Sequence, residues 1–212
     1  MAELDLTNIA STSISTPGAG VTAAFVDGDK RLKTKNDAGF INSASDFNNF
    51  STASQAPAAT TRTYITGSQI AIPSGKMQIG TMFRWRFNMT KTAAGSATST
   101  FDVAVGTAGT TADTARVSFT KPAGTAAADE AWVDIIVTVR GPLSSSGVLV
   151  GQFIMVHNLA STGHAVIPCV VVNTVSSAFD ITVANLFVGV CITTGASDAI
   201  TIQMCQAEAI NL

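Results

Sequence analysis

The stretch KMQIGTMFRWRFNMTKT, residues 76–92, decides the fold, because apolar and polar side chains alternate strictly through its centre. The alternation separates an aromatic set from a polar set, namely Phe83, Trp85 and Phe87 against Arg84, Arg86 and Asn88. A period of two places successive side chains on opposite faces of a β-strand. The stretch therefore predicts a strand with an aromatic core face, and we expect its arginines to pair with carboxylates on an adjacent strand or subunit.

Similar strand-like stretches, separated by turns rich in Gly, Pro, Ser and Asp, continue the series from residue 63 onward. They cover residues 63–73, 76–92, 99–106, 115–121, 131–141, 147–159, 164–174, 184–195 and 199–212. The alanine-rich residues 125–132 suit a short helix and a connecting turn equally well. The sequence predicts an all-β protein. A jelly-roll-like antiparallel β-sandwich fits eight to nine such strands better than an immunoglobulin-like sandwich or a closed barrel.

The first 60 residues differ from the rest, because small polar residues dominate them and their one compact apolar patch is VTAAFV, residues 21–26. The DGDKRL that follows predicts a tight turn between two short strands. Residues 41–62 have the composition of a linker. We therefore predict an extended N-terminal arm, or docking segment, at residues 1–60 and a jelly-roll oligomerisation domain at residues 61–212.

The basic residues are distributed unevenly along the chain. All 12 Lys and Arg residues lie at or before Arg140, so residues 141–212 contain only three charged side chains, Asp180, Asp198 and Glu208. A solvent-exposed surface normally carries charges of both signs at a higher density. We therefore expect much of this last third to be buried against other copies of the chain in a homo-oligomer.

Two stretches within this last third are apolar at nearly every position. VIPCVVV at residues 166–172 and LFVGVCI at residues 186–192 need cover on both faces of a sheet. The core of a sandwich covers one face. We expect a neighbouring subunit to cover the other, because large exposed apolar patches are rare on soluble monomers.

No pattern of residues predicts catalysis, a metal site or a cofactor. His157 and His164 lack a third ligand nearby, so we interpret them as residues of turns or strand ends. The serines at 144–146 lie outside any GxSxG motif. The carboxylates available for glycoside hydrolysis fall mostly in predicted turns, and they are Asp102, Asp113, Asp129, Glu130 and Asp134. We predict a protein that is not an enzyme and has no cofactor.

Composition also bears on partners and compartment. The formal net charge of −2 argues against binding to a nucleic-acid backbone, and the longest apolar runs are too short to span a membrane. The acidic N-terminus differs from a secretory signal. Cys169, Cys191 and Cys205 lie among apolar residues, which predicts reduced thiols packed in the core and assembly in the cytosol.

The segment TPGAGVTAAFVDGDKRLKTKNDAG, residues 16–39, resembles a short N-terminal module of tailed-bacteriophage virion proteins. In that module a proline and a glycine precede an apolar strand and a D-x-x-x-x-L-x-x-K-x-D-x-G turn. The matching positions are Pro17, Gly20, Val21, Phe25, Asp27, Leu32, Lys35, Asp37 and Gly39. Residues 66–119 are similar to the β-sandwich domain that commonly follows this module, and residues 157–164 and 207–212 fit the same pattern.

The resemblance implies a virion component assembled in the host cytoplasm, built as a trimer of jelly rolls and docked through the nine matching positions. We expect a capsid decoration (cement) protein that stabilises the shell by bridging neighbouring subunits, with the major capsid protein or another virion protein as its partner. The alternative is a head-fibre or tail-fibre module whose loops at residues 92–99 and 106–113 bind a host-surface glycan.

Overall fold

The structure is a computed structural model that describes residues 10, 13–26, 32–39, 41–43 and 47–212. Within these residues the chain forms fourteen β-strands: β1 (Ala23–Val26), β2 (Leu32–Lys35), β3 (Ile41–Ser43), β4 (Phe47–Ser51), β5 (Thr63–Tyr64), β6 (Ile70–Ile72), β7 (Met82–Lys91), β8 (Ser99–Gly106), β9 (Thr114–Lys121), β10 (Asp129–Gly141), β11 (Val148–His157), β12 (Cys169–Val175), β13 (Leu186–Thr193) and β14 (Ile200–Ile210). The all-β prediction is confirmed. The chain divides into two compact units, Met1–Phe47 and Asn48–Leu212.

The first unit contains a three-stranded antiparallel sheet in the order β1-β2-β3. Val26 at the end of β1 pairs with Leu32 at the start of β2, so the two short strands flank the predicted DGDKRL turn. Residues 27–31 of that turn lie outside the described residues. The sheet joins its strands through their backbones, which explains how a segment so poor in apolar residues forms regular structure.

The second unit is an antiparallel β-sandwich. One sheet has the order β12-β11-β10-β7-β14-β4, and the other has the order β5-β13-β8-β9 with β6 also paired to β13. The pairs β7 with β14 and β8 with β13 join early strands to late ones, as expected of a jelly-roll-like fold. All nine predicted stretches contain a strand, and residues 63–73 contain two, β5 and β6, with a turn between them.

The sandwich also includes residues that the composition places in the arm. Strand β4 forms an edge of the six-stranded sheet. The backbone of Gln55 exchanges hydrogen bonds with that of Ile202, at N–O distances of 2.9 and 2.8 Å. The division between the compact units therefore lies between Phe47 and Asn48, upstream of the predicted boundary near residue 60.

The aromatic face of β7 lies in the core, as its alternation predicts. Phe83, Trp85 and Phe87 have no exposed surface. The Phe87 ring packs on that of Phe101 on β8 at a centroid distance of 6.4 Å, and Phe101 packs in turn on Phe153 of β11 at 5.3 Å. These aromatic contacts join the two sheets, and such pairs add about 0.5 to 1.5 kcal/mol each beyond their buried area.

The polar face of β7 carries the predicted ion pairs. Arg84 holds both carboxylate oxygens of Asp134 on the neighbouring strand β10, with its Nε 2.9 and 3.1 Å from them. Nη2 of Arg86 lies 3.8 Å from Oε1 of Glu208 on β14, the strand on the other side of β7. The hydrogen bond to Asp134 raises the pKa of Arg84 above its usual value. The partners are on adjacent strands of the same chain.

The cover of strand β13 comes from its own chain rather than from a neighbour, unlike the expectation for residues 186–192. The Tyr64 ring lies against Gly189, where a Cβ would meet its hydroxyl at 2.1 Å. Gly109 in the β8–β9 loop lies against Phe187, and Cys191 is fully buried. The physical reason is that the short strands β5 and β6 pair with β13, and the β8–β9 loop packs against Phe187.

The cysteines behave differently from one another. Cys191 and Cys205 are buried, and burial raises the pKa of each thiol to about 12. The prediction of a core position is wrong for Cys169, which is exposed because it begins the edge strand β12 with its side chain directed outward.

None of the helical turns in the described residues has the length and apolar character needed to cross a membrane.

Candidate functional site

The predicted docking residues meet where two turns of the first unit approach each other. The backbone N–H of Gly20, before β1, donates to Oδ2 of Asp37, after β2, at 2.8 Å. Lys35 on β2 donates from Nζ to the carbonyl of Ile14 at 2.6 Å. Gly20 and Gly39 adopt φ angles of +75° and +83°, a region that favours glycine. These positions of the pattern therefore have a structural role in closing the unit.

The other predicted docking residues divide between buried and exposed positions. Phe25 on β1 is buried, whereas Val21 just before the strand is 55% exposed. Pro17 is half-buried, Leu32 begins β2, and Asp27 lies outside the described residues. The docking role of all nine positions stays a prediction. Among the matched positions whose side chains the structure describes, Val21 is the exposed apolar one.

A buried Asp–His pair lies at one end of the sandwich. Asp129 begins β10 and His157 ends β11, and the pairing of these strands brings the two side chains together. Oδ2 of Asp129 lies 2.7 Å from Nδ1 of His157 and accepts a hydrogen bond from the backbone N–H of His164 at 2.9 Å. Nε2 of His157 lies 2.5 Å from the carbonyl oxygen of Ile167. Because a carbonyl only accepts, Nε2 carries a hydrogen.

The charges of this pair follow from its contacts. Burial by itself would raise the pKa of Asp129, but hydrogen bonds from the His164 amide, the His157 ring and the Glu130 amide lower it overall. His164 itself has no exposed surface, and neither ring nitrogen has a partner among the described residues. Burial lowers the pKa of His164 to about 4, so its ring is neutral at pH 7. The pair fastens the loop at residues 158–168 to the sheet.

Two buried lysines hold neighbouring loops in the same way. Lys91, at the end of β7, donates to the carbonyl of Thr125 at 2.7 Å. Lys121, at the end of β9, donates to the carbonyls of Pro122 at 2.8 Å and His164 at 2.7 Å. Burial lowers the pKa of both ammonium groups. Sequence reasoning missed this cluster, although the β10–β11 hairpin could have placed Asp129 near His157.

Two of the remaining candidate carboxylates, Asp102 and Asp113, bind groups within the fold. Arg62 holds both oxygens of Asp102 and also donates to the carbonyls of Thr111 and Asp113 at 2.6 and 2.8 Å. Asp113 accepts from backbone N–H groups of its own loop at 3.0 and 2.8 Å. Glu130 faces solvent. Among the residues that the structure describes, no group of three or more His, Cys, Asp or Glu side chains is arranged to hold a metal ion.

The outer face of the six-stranded sheet, opposite the aromatic core, contains an apolar strip at its β12 edge. We call the outer strip the residues Ile154 on β11 and Cys169, Val171 and Val175 on β12. Val171 pairs directly with Ile154, so their side chains share this face. Val171 is 54% exposed and Val175 is 52% exposed. Val166 and Ile167, which precede β12, are also exposed. This part of the surface is where the last third of the chain lacks intramolecular cover.

A groove of about 470 Å³ lies further across the same face, toward the Asp–His end. We call it the Trp132 groove. Trp132 is 40% exposed and is flanked in register by Asn88 of β7 and Val156 of β11. The other outward-facing residues that line it are polar, namely Thr90, Glu130, Asn158 and Gln203. The groove therefore combines one exposed indole with several amide and carboxylate groups.

Comparison of the chain with protein-family models finds no match, and comparison with curated proteins finds none either.

Proposed function

We propose that the chain is a virion structural protein, a capsid decoration protein that docks on the particle through its N-terminal unit and assembles as a homotrimer through its sandwich. The observation that carries the proposal is the outer strip, where branched apolar side chains of β12 are more than half exposed. A protein whose function is to bridge subunits needs surface that becomes buried on binding, rather than catalytic groups.

The edge strand β12 is suited to contact with another copy. Its sequence CVVVNTV contains no charged residue and no proline, which are the features that normally protect an exposed strand edge from pairing. The strand also lies within the 72 residues that contain no Lys or Arg. In a closed oligomer, copies of this surface offer one another apolar side chains and no unpaired charge. We therefore assign the outer strip and the β12 edge to self-association.

The particle partner is proposed from the resemblance of residues 16–39 to phage virion modules. In the described part of this segment, the hydrogen bond between Gly20 and Asp37 fixes the turns, and Val21 is left exposed beside them. Val21 and Ile41 are exposed apolar side chains of this unit, and its strand β2 carries two lysines, which suits a protein surface that is apolar with an acidic rim. The major capsid protein is the proposed partner.

Removal of the N-terminal unit tests the docking proposal. A chain that begins at Phe47 retains β4 and the whole sandwich, so we expect it to keep the oligomeric mass of the full chain. We expect it to lose binding to purified particles in a co-sedimentation assay. A truncated chain that still sediments with particles would contradict the docking role.

Copy number distinguishes decoration from the fibre alternative. Quantitative mass spectrometry of purified particles should find the chain in proportion to the major capsid protein. A few copies to a few dozen per particle would instead support a head-fibre or tail-fibre module. Absence of the chain from purified particles would contradict both.

A further inference from the structure

We propose that the Trp132 groove binds a neutral saccharide, with one sugar ring packed on the exposed face of the Trp132 indole. This site lies on the face of the sheet rather than in the loops at residues 92–99 and 106–113. It does not depend on the decoration proposal, because the Trp132 groove and the outer strip consist of different residues.

The floor of the groove supplies the stacking surface. Trp132 lies on β10 between Asn88 of β7 and Val156 of β11, and Val156 is 48% exposed. The face of an indole ring is electronegative, and the C–H groups on one face of a pyranose ring carry partial positive charge. Such a ring therefore packs flat on the indole while its hydroxyl groups point toward the walls of the groove.

The walls supply hydrogen-bonding groups that the fold leaves unused. The side chains of Asn88, Glu130 and Asn158 have no hydrogen-bond partner within the described part of the chain. An amide offers two donors and an acceptor, and a carboxylate offers acceptors only, which together match the paired donors and acceptors of a sugar diol. The backbone N–H of Asn158 donates to the Glu130 carbonyl at 3.1 Å, which fixes these two residues side by side.

A β-bulge orients one more amide toward the groove. The register of β14 against β7 shifts between Ile202 and Met204, so that Gln203 is the extra residue. Its Nε2 donates to Oγ1 of Thr90 at 3.0 Å and its Oε1 accepts from Oγ of Ser54 at 2.6 Å. Bulges often redirect a side chain at a functional site. Gln203 is therefore held in place before any ligand arrives.

Charge selects the class of sugar. No Lys or Arg is among the residues that line the groove, and its ionisable members are Glu130 and the buried His157. A sialic acid, a uronic acid or a phosphorylated sugar would place its negative charge near Glu130 without a compensating cation. A second copy of the chain is a poorer occupant here than at the outer strip, because interface cores are depleted of glutamate.

The test uses the full-length protein and a fixed panel of probes. The neutral probes are methyl glycosides of glucose, galactose, mannose and N-acetylglucosamine with their trisaccharides, and the acidic probe is sialyllactose. Binding is measured by saturation-transfer NMR and by protection of tryptophan fluorescence from acrylamide. The chain has two tryptophans, and Trp85 is fully buried, so quenching reports on Trp132.

We expect saturable binding of at least one neutral probe and none of sialyllactose. Trp132→Ala and Asn158→Ala should each weaken that binding about tenfold or more, as loss of a central contact does. Ile79→Ala, at an exposed apolar position outside the groove, is the matched control and should bind like the wild type. Light scattering of each variant should give the wild-type mass, which separates this result from the self-association proposal.

The inference is overturned if no neutral probe binds saturably, if Trp132→Ala binds as well as the wild type, or if sialyllactose binds best. Should Trp132→Ala fail to fold by circular dichroism, Asn158→Ala and Glu130→Gln decide the question, because both residues are exposed.

Discussion

His164 shows how one buried residue can make the sandwich sensitive to acid. Its ring is fully buried and has no hydrogen-bond partner in the part of the chain that the structure describes, and burial lowers its pKa to about 4 against an ordinary value of 6.5. Between these pH values the unfolded chain binds a proton that the folded chain does not. The free energy of unfolding is therefore expected to fall as the pH drops from 6.5 toward 4, by about 3 kcal/mol at most.

A substitution isolates this contribution. His164→Leu replaces the ring with an apolar side chain, which suits a site where the polar atoms are unsatisfied. We expect the variant to lose the part of the pH dependence that arises between 6.5 and 4, as measured by urea denaturation across that range. A variant whose stability falls with acid as steeply as that of the wild type would show that His164 is not the responsible group.

Gly151 on strand β11 allows the two sheets of the sandwich to approach each other closely. A Cβ at this position of β11 would lie 2.7 Å from the Phe119 ring and 2.8 Å from Val117, both on β9 of the other sheet. Gly151→Ala should therefore destabilise the fold by about 1 to 3 kcal/mol through overpacking. The matched control is Gly18→Ala, because a Cβ there meets no atom within 4 Å. Equal thermal stability of the two variants would contradict this packing.

Strand β12 is the element on which the proposed self-association depends. Val171→Lys adds a charge to the centre of the outer strip without disturbing the core, since the side chain is 54% exposed. We expect this variant to be folded and monomeric in sedimentation. Phe50→Lys, at a site that is 68% exposed on β4, the opposite edge of the sheet, should keep the wild-type mass. An oligomer that survives Val171→Lys would place the interface elsewhere.

The elements also show what a sequence pattern can and cannot predict. The alternation in residues 82–91 was enough to predict the strand, its aromatic core face and the pairing of Arg84 and Arg86. The contact of Asp129 with His157 depends on the register between strands, which a periodicity does not contain. Strand β4 was missed for a similar reason, because FNNFS joins the sheet mainly through its backbone.

The least predictable feature was which distant segments of the chain cover the apolar strands β12 and β13. The sequence predicts that both β12 and β13 need cover on two faces, but it does not say which segment supplies it. In the structure Tyr64 and the loop around Gly109 cover β13, whereas Val171 and Val175 of β12 stay exposed. Composition was thus sufficient to predict that these strands need cover, but it was insufficient to predict which tertiary contacts provide it.

At the scale of the whole molecule, the last third of the chain contains no cation and presents an apolar outer strip at the edge of its larger sheet. A monomer would leave this surface in water. A closed oligomer would bury this surface, and a trimer is the form that we propose. The decoration role that we propose needs this assembly, because the capsid surface would be bridged by the oligomer rather than by single chains.

Light scattering coupled to size-exclusion chromatography of the purified full-length chain, at micromolar concentration, measures the proposed self-association. We expect one species with the mass of three chains. A stable, well-folded species with the mass of a single chain would contradict the proposed self-association, because the outer strip would then be stable in contact with water and would not need a second copy of the chain to cover it.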